Sequence, residues 1–363
     1  MRAPLYITDT APGGGKTIMT LGLVNELSQA FESVGFIKPV GLARVRTGTV
    51  GVDIDAMLVD KIYQTRSNIQ DMSPVTVSPE IWPKVSPEDS EKMMRKIESS
   101  FATISEGRDA VVIEGTGHAG LGSCLGLSNA RIAKALGAKV ILTAAYRELE
   151  MNAIDTIELS RGYFESKGVE VIGAVVNRVP TEDFDAYRDY IGGPFEQLGI
   201  RLFGVMPESP ELKTFHFLQV SEYLDGAMLC GESKAERTIR SVRIGAMVPH
   251  RAIQYFRKDS LVITPGDRED VIVTACATAG QGGDGPSGMV LSGGIRPHDR
   301  IVDLLKQSGM PVFLASEDSY TVASKIHDMP LRIQPNDGEK ISTAQTLVSS
   351  HVEVESVIQS LEG

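Results

Sequence analysis

Cysteine is scarce in this chain: Cys124, Cys230 and Cys276 are far apart and form no C-x-x-C pair. That excludes a disulfide framework and a thiolate-rich metal centre, and reads as reduced thiols in a cytosolic protein. Positive charge is also in deficit, with 36 Lys plus Arg against 47 Asp plus Glu and a formal charge of −11. An acidic surface offers no counter-charge to nucleic acid or an anionic membrane, so neither is expected as a partner. A local basic pocket for a nucleotide remains compatible with that balance. No run of about 18 apolar residues is present, and the N-terminus lacks the charged-then-apolar pattern of a signal peptide. The expectation is a soluble, cytoplasmic protein. Internal repeats and low-complexity segments are missing too.

What the chain has is alternation. Its 363 residues suggest two domains, each large enough to bury a core. Strand candidates are Val34–Lys38, Ala110–Gly115, Lys139–Ala144, Val169–Asn177 and Leu202–Val205. Most are continuous apolar runs, as expected of parallel strands buried on both faces. Helices are read between them, notably Asn129–Leu136 and Ala153–Lys167. The pattern predicts an α/β fold with a doubly wound, mostly parallel sheet over residues 1–225. Ser73 to Asp89, rich in Pro and Ser, reads as a surface excursion near the ligand edge of that sheet. The polar segment Asp225–Arg237 marks a boundary, and a smaller α/β domain is expected over 238–363. Its strands are Val242–Val248, Leu261–Thr264, Met289–Leu291 and Pro311–Leu314. Its helices lie around His250–Phe256, Glu269–Ala279, Asp299–Ser308 and Thr321–His327, with a last one from Thr343 towards Leu361. Gln281 to Pro286 reads as a turn, since no Lys-Ser or Lys-Thr follows it.

The most informative segment is near the start. A predicted strand, Leu5-Tyr6-Ile7-Thr8, runs into Pro12-Gly13-Gly14-Gly15-Lys16-Thr17 and then a helix with Leu21, Val24, Leu27 and Phe31 at helical spacing. Consecutive glycines let backbone N–H groups curl around an anion, and the helix adds its positive end. Lys16 would reach the β- and γ-phosphates and the Thr17 hydroxyl would ligate magnesium. In the pattern G-x-x-x-x-G-K-[ST] the first glycine falls on Thr10, so the match is partial. A Gly-rich turn can be plain structure, but strand, glycines, Lys-Thr and helix together favour nucleotide binding.

Other strand ends carry candidates. Lys38 ends the second strand, where it would face a terminal phosphate or an anionic substrate, although taken alone a solvated lysine explains it better. Asp53-Ile54-Asp55 fits helix capping as well as metal binding by Asp55. Glu114 follows directly on a buried apolar strand and is flanked by glycines, which favours a magnesium ligand opposite Thr17 over a structural role. His118 is either a substrate contact or a satisfied polar residue. Asn177 would read an adenine edge or form a turn. Asp267-Arg268 and Ser292-Gly293-Gly294 mark a small anion site or a salt bridge with a glycine turn, with nothing to separate the two.

Taken together, Gly13–Thr17, Lys38-Pro39-Val40, Asp55-Ala56, Glu114-Gly115-Thr116-Gly117 and Val175-Val176-Asn177 stand in the order found in the dethiobiotin synthetase-like ATPase family, which residues 4 to 210 resemble. The resemblance implies ATP and Mg2+ as cofactors. Gly13, Gly14, Gly15, Lys16 and Thr17 would hold phosphate, with Thr17, Asp55 and Glu114 around the metal. Lys16 and Lys38 would be catalytic and Asn177 would contact adenine. In such enzymes ATP phosphorylates a carboxylate or carbamate. Ile263–Val271 and Leu291–Pro297 resemble the DRTGG domain, and the pairing is similar to the amino-terminal, non-catalytic half of long bacterial phosphotransacetylases. The acetyl-transferring domain does not follow before Gly363, so that activity is not expected. The ATPase domain is also similar to that of cobyrinic acid a,c-diamide synthases, but Cys276 lies in a predicted helix without a glycine elbow. The partners expected are a nucleotide and an unidentified small molecule, and family analogy implies a homo-oligomer. Two functions follow: ATP-dependent activation of a small carboxylate, or nucleotide or metabolite sensing without turnover.

Overall fold

The computed structural model describes residues 3–42, 44–47, 50–77, 85–146, 153–182, 184–280, 284–329 and 331–362. The middle of the expected excursion (78–84) and the start of the expected turn (281–283) lie outside them. The chain divides into two compact units, one formed by Met1–Ser209 with Ile333–Gly363 and one by Pro210–Arg332.

In the first unit, six strands form one parallel sheet: β1 (Leu5–Asp9), β2 (Val34–Ile37), β3 (Ala110–His118), β4 (Lys139–Ala145), β5 (Val171–Val179) and β6 (Leu202–Pro207). Their order is β6-β5-β4-β1-β3-β2. The apolar runs predicted this, because strands covered on both faces have no polar side to show. Every residue of β1 is buried, and Ile7 stands beside Glu114 of β3. The chain steps from β1 to the edge strand β2, returns to β3 against β1, then crosses to β4 on the other side. Such a reversal opens a crevice at the carboxyl end of β1. The helix α1 (Lys16–Ala30) starts in that crevice.

Several elements differ from the sequence reading. A helix at Pro87–Ser105 was not anticipated, although Ser86 and Asp89 cap it reciprocally. The last helix is broken in two, Gly338–His351 and Val354–Ser360. At the break Val352 pairs with Gly204, and the Glu353 N–H donates to the Phe203 carbonyl at 2.8 Å. This segment therefore belongs to the first unit, which corrects the division into 1–225 and 238–363. Its apolar face, Ala344, Leu347 and Val348, is buried, and Val348 packs onto α1 at Gly22.

The second unit holds a five-stranded sheet of β7 (Gly226–Cys230), β8 (Ser241–Ile244), β9 (Ser260–Pro265), β10 (Gly288–Ser292) and β11 (Val312–Ala315), ordered β7-β11-β10-β9-β8. Strand β7 runs antiparallel on one edge, inside the segment expected to be a linker. The helices at Glu269–Gly280, Asp299–Ser308 and Ser319–His327 match expectation, whereas that near His250 is only Pro249–Ala252. Among the described residues no helix is long and apolar enough to cross a membrane.

Candidate functional site

The loop between β1 and α1 is built around left-handed backbone. Gly15, at the N-terminus of α1, has φ 111° and offers no capping side chain. A Cβ there would stand 2.1 Å from Asn177 Nδ2, so glycine is required both by conformation and by contact. No acidic residue sits in the first turn of α1. The positive end of the helix is left to the carboxylate of Asp9, which was not singled out from the sequence. Asp9 is buried at the end of β1 and accepts the Lys16 backbone N–H at 2.9 Å and the Lys16 Nζ at 3.3 Å. The Thr143 hydroxyl also donates to it. An acid following Thr8 at a strand end gave no signal by type or spacing, because its partner Thr143 is remote in sequence.

Across the loop, the structure brings Thr17, Lys38, Asp55 and Glu114 together. Lys38 is only 3% exposed, so the solvated strand-end alternative does not hold. Its ammonium donates to Glu114 Oε1 at 2.7 Å and to Asp55 Oδ2, with Asp53 Oδ1 at 3.9 Å. The Thr17 hydroxyl donates to the same Glu114 Oε1 at 3.3 Å. Asp53 does cap the helix α2 (Ile54–Tyr63), accepting the Asp55 N–H at 2.9 Å. That cap turns the Asp55 carboxylate, in the first turn, towards Lys38. Asp53 therefore caps the helix at the edge of the cluster, and Asp55 makes the closer contact with Lys38.

The charges are strongly coupled. Burial opposes the charge on Lys38, but Asp55, Glu114 and Asp53 outweigh it and hold the ammonium well above its usual range. Burial likewise works against the Asp55 carboxylate, yet Lys38 and then Lys16 hold it down to about 2. For Glu114 burial prevails, so its pKa is raised despite the pull of Lys38. Its Oε2 is buried without a hydrogen-bond partner. A buried, unsatisfied carboxylate oxygen is costly unless something else meets it. Among the described residues no group of three or more His, Cys, Asp or Glu side chains is arranged to hold a metal ion. Magnesium needs less, since it keeps several waters and takes one or two carboxylates plus phosphate. Glu114, with Oε1 bonded to the Thr17 hydroxyl and Oε2 without a partner, offers a carboxylate that fits such an ion.

Asn177 is buried, and both ends of its amide are engaged within the site. Nδ2 donates to the Gly14 carbonyl at 3.3 Å and Oδ1 accepts the Arg178 N–H at 2.8 Å. It shapes the loop rather than presenting itself to solvent. His118 is exposed, and its carbonyl accepts from Asn129 Nδ2 at 2.6 Å. Asn129, read only as the start of a helix, anchors the segment after Glu114: it also accepts the Thr116 N–H at 3.0 Å and the Tyr6 hydroxyl at 2.8 Å. In the second unit, Arg268 pairs with Asp270 at 2.9 Å rather than with Asp267, and Gly293 and Gly294 form the left-handed turn after β10.

Compared with known families, residues 3–215 match the model of an AAA domain and residues 219–329 that of a DRTGG domain. The chain is 26% identical over 369 residues to a phosphate acetyltransferase of Pseudomonas aeruginosa, covering 96% of this chain and 51% of that protein. It is 25% identical over 365 residues to that of Nitrosomonas europaea, covering 98% and 51%. The chain thus spans about half the length of the curated relatives it matches. Among solved structures, the MinC:MinD cell division complex of Aquifex aeolicus aligns with a TM-score of 0.37 at 16% identity, over 58% of this chain and 83% of that one. The CBS and DRTGG domains of the regulatory region of Clostridium perfringens pyrophosphatase, complexed with the activator diadenosine tetraphosphate, align with a TM-score of 0.27 at 16% identity, over 36% and 58%.

Proposed function

The chain belongs to the AAA domain family over residues 3–215 and carries a DRTGG domain over residues 219–329, and from that premise we propose that its first unit binds ATP with Mg2+ at the Gly13–Thr17 loop and activates a small carboxylate. The observation that carries this reading is the N-terminus of α1, where Lys16 donates to the Asp9 carboxylate through its backbone N–H and its ammonium, and Thr17 donates to Glu114, whose other oxygen has no partner. Backbone N–H groups at such a terminus, a flexible ammonium and a positive dipole end form an anion site.

In the reaction proposed, a carboxylate oxygen of the acceptor attacks the γ-phosphorus. The bond from that phosphorus to the β–γ bridging oxygen breaks, ADP leaves, and an acyl phosphate forms. Lys16 leaves Asp9 to meet the phosphates. Lys38, already facing Asp55 and Glu114, offsets negative charge on the transferred group and the acceptor. Thr17, Asp55 and Glu114 would hold Mg2+, which neutralises phosphate charge when bound. The preference for ATP over GTP is part of the proposal and is assigned to the family resemblance, since the Asn177 amide is occupied within the loop.

The DRTGG domain favours a second reading, a sensor that binds nucleotide or metabolite without turnover. Calorimetric titration with ATP–Mg2+ and GTP–Mg2+, run beside phosphate release and hydroxylamine trapping of acyl phosphate, separates the two. Binding with a trapped product supports activation, and tight binding without product supports the sensor. Lys16→Ala with unchanged affinity and turnover would sink the activation reading and the Gly13–Thr17 loop as the nucleotide site.

A further inference from the structure

We propose that Arg178 is a nucleotide-binding residue that grips the phosphate chain from the side opposite Lys38. The inference rests on reading the Gly13–Thr17 loop as a nucleotide site. Arg178 sits near the end of β5 with φ 61°, a left-handed conformation in which a residue bearing a Cβ is disfavoured. Asn177 Oδ1 holds the turn by accepting the Arg178 N–H. Such backbone persists where neighbouring structure imposes it, and it collects at ligand sites.

What the turn achieves is a placement. A Cβ built on Gly13 would stand 3.7 Å from both Nη1 and Nη2 of Arg178 and 3.9 Å from Cζ, so the guanidinium lies over the first glycine of the loop. Three other arginines of this unit are engaged: Arg108 with Ser33 and the Thr65 carbonyl, Arg131 with Glu91, Arg161 with Glu158. The guanidinium of Arg178 is exposed, and among the described residues neither a hydrogen bond nor an ion pair engages it, in a chain of formal charge −11. An unpaired, planar fork of donors beside a phosphate loop suits a phosphate, which it can meet through two N–H groups at once.

The strand order tells which end of the phosphate chain it serves. Lys38 ends β2 and Glu114 lies in β3, on one side of β1, whereas Arg178 belongs to β5 on the other. With the transferred γ-phosphate among Lys38, Thr17 and Glu114, Arg178 faces the nucleoside-proximal phosphates. Its loss therefore weakens ATP and ADP alike.

The test is calorimetric titration of the full chain with ATP–Mg2+ and with ADP–Mg2+, for the wild type, Arg178→Gly and Arg178→Lys. Glycine removes the guanidinium and accepts φ 61° without strain, so the variant should melt no lower than wild type. Should it melt lower, Arg178→Lys carries the comparison. Expected is a loss of about tenfold for both nucleotides in Arg178→Gly, as for one charge-assisted contact, with Arg178→Lys between that and wild type. Unchanged affinity in both variants would overturn the inference and leave the loop reading intact. A loss confined to ATP would overturn the placement at the nucleoside-proximal end. A wild type that binds neither nucleotide would remove the loop reading itself.

Discussion

Lys38 shows how a single residue changes meaning between sequence and structure. At the end of a strand it reads as a solvated cation, yet it is buried among three carboxylates. Removing one member of a buried ionic cluster leaves the others desolvated and uncompensated, typically at a cost of about 3–5 kcal/mol. Lys38→Ala should therefore lose about 3 kcal/mol in urea unfolding at pH 7. The loss should shrink as pH falls towards 5. The folded pKa of Glu114 is raised by burial even with Lys38 present, and goes higher without it. Between the unfolded value near 4.5 and the raised folded value, the folded state binds more protons than the unfolded one, so lowering pH stabilises it. Asp55 has the opposite sign: its folded pKa of about 2 lies below 3.8, so its contribution is full above 3.8 and fades as pH drops towards 2. In the variant Asp55 also loses the Lys38 charge that lowers it while its burial remains, so the pH dependence reports Glu114 and Asp55 together. A loss that is flat from pH 5 to 8 would contradict the cluster as described.

At the scale of elements, the return of the C-terminal helix is the least foreseeable feature. Gly22 of α1 lets Val348 approach so closely that a Cβ on Gly22 would stand 2.2 Å from Val348 Cβ. Val348→Ala should cost about 2 kcal/mol, from two buried methyl groups and the space they leave. Gly22→Val should cost more, because two packed helices must separate to admit it. Unfolding midpoints of both variants check this, and unchanged midpoints would mean the helix does not dock. Periodicity shows that a helix such as Gly338–His351 has an apolar face, but it does not say against which partner that face lies. The sequence division accordingly gave this helix to its neighbours in the chain. Strands β1 to β6 were legible because runs such as Val111-Val112-Ile113 are buried on both faces. Strand β7 was not, since Gly226 and Ala227 at an exposed edge carry little apolar signal. Similarly, Thr17 and Glu114 announced themselves through glycines and a strand end and Lys38 only through the family resemblance, whereas Asp9 and Asn129 act through Thr143 and Tyr6, which only the folded chain brings near.

For the whole molecule, the consequence is that chain order and cooperative units differ. Residues Pro210–Arg332 form a unit of their own between the two stretches of the first. That unit has a complete five-stranded sheet and apolar clusters on both faces, one around Phe217, Ile263 and Phe313 and another around Val262, Ile272 and Leu305. A body with its own core can melt on its own, so scanning calorimetry should resolve two transitions rather than one. Ligand that binds only the folded first unit stabilises that unit by mass action, about 2.7 kcal/mol at a hundred times Kd. ATP–Mg2+ should then raise one transition and leave the other in place, and Lys16→Ala should abolish the shift. The rise identifies the unit that holds the site without requiring turnover. If instead the transition retained in an isolated 210–332 fragment is the one that moves, the nucleotide binds in the DRTGG unit. The Gly13–Thr17 loop would then lose its assigned role, and the sensor reading would pass to the left-handed Gly293-Gly294 turn after β10.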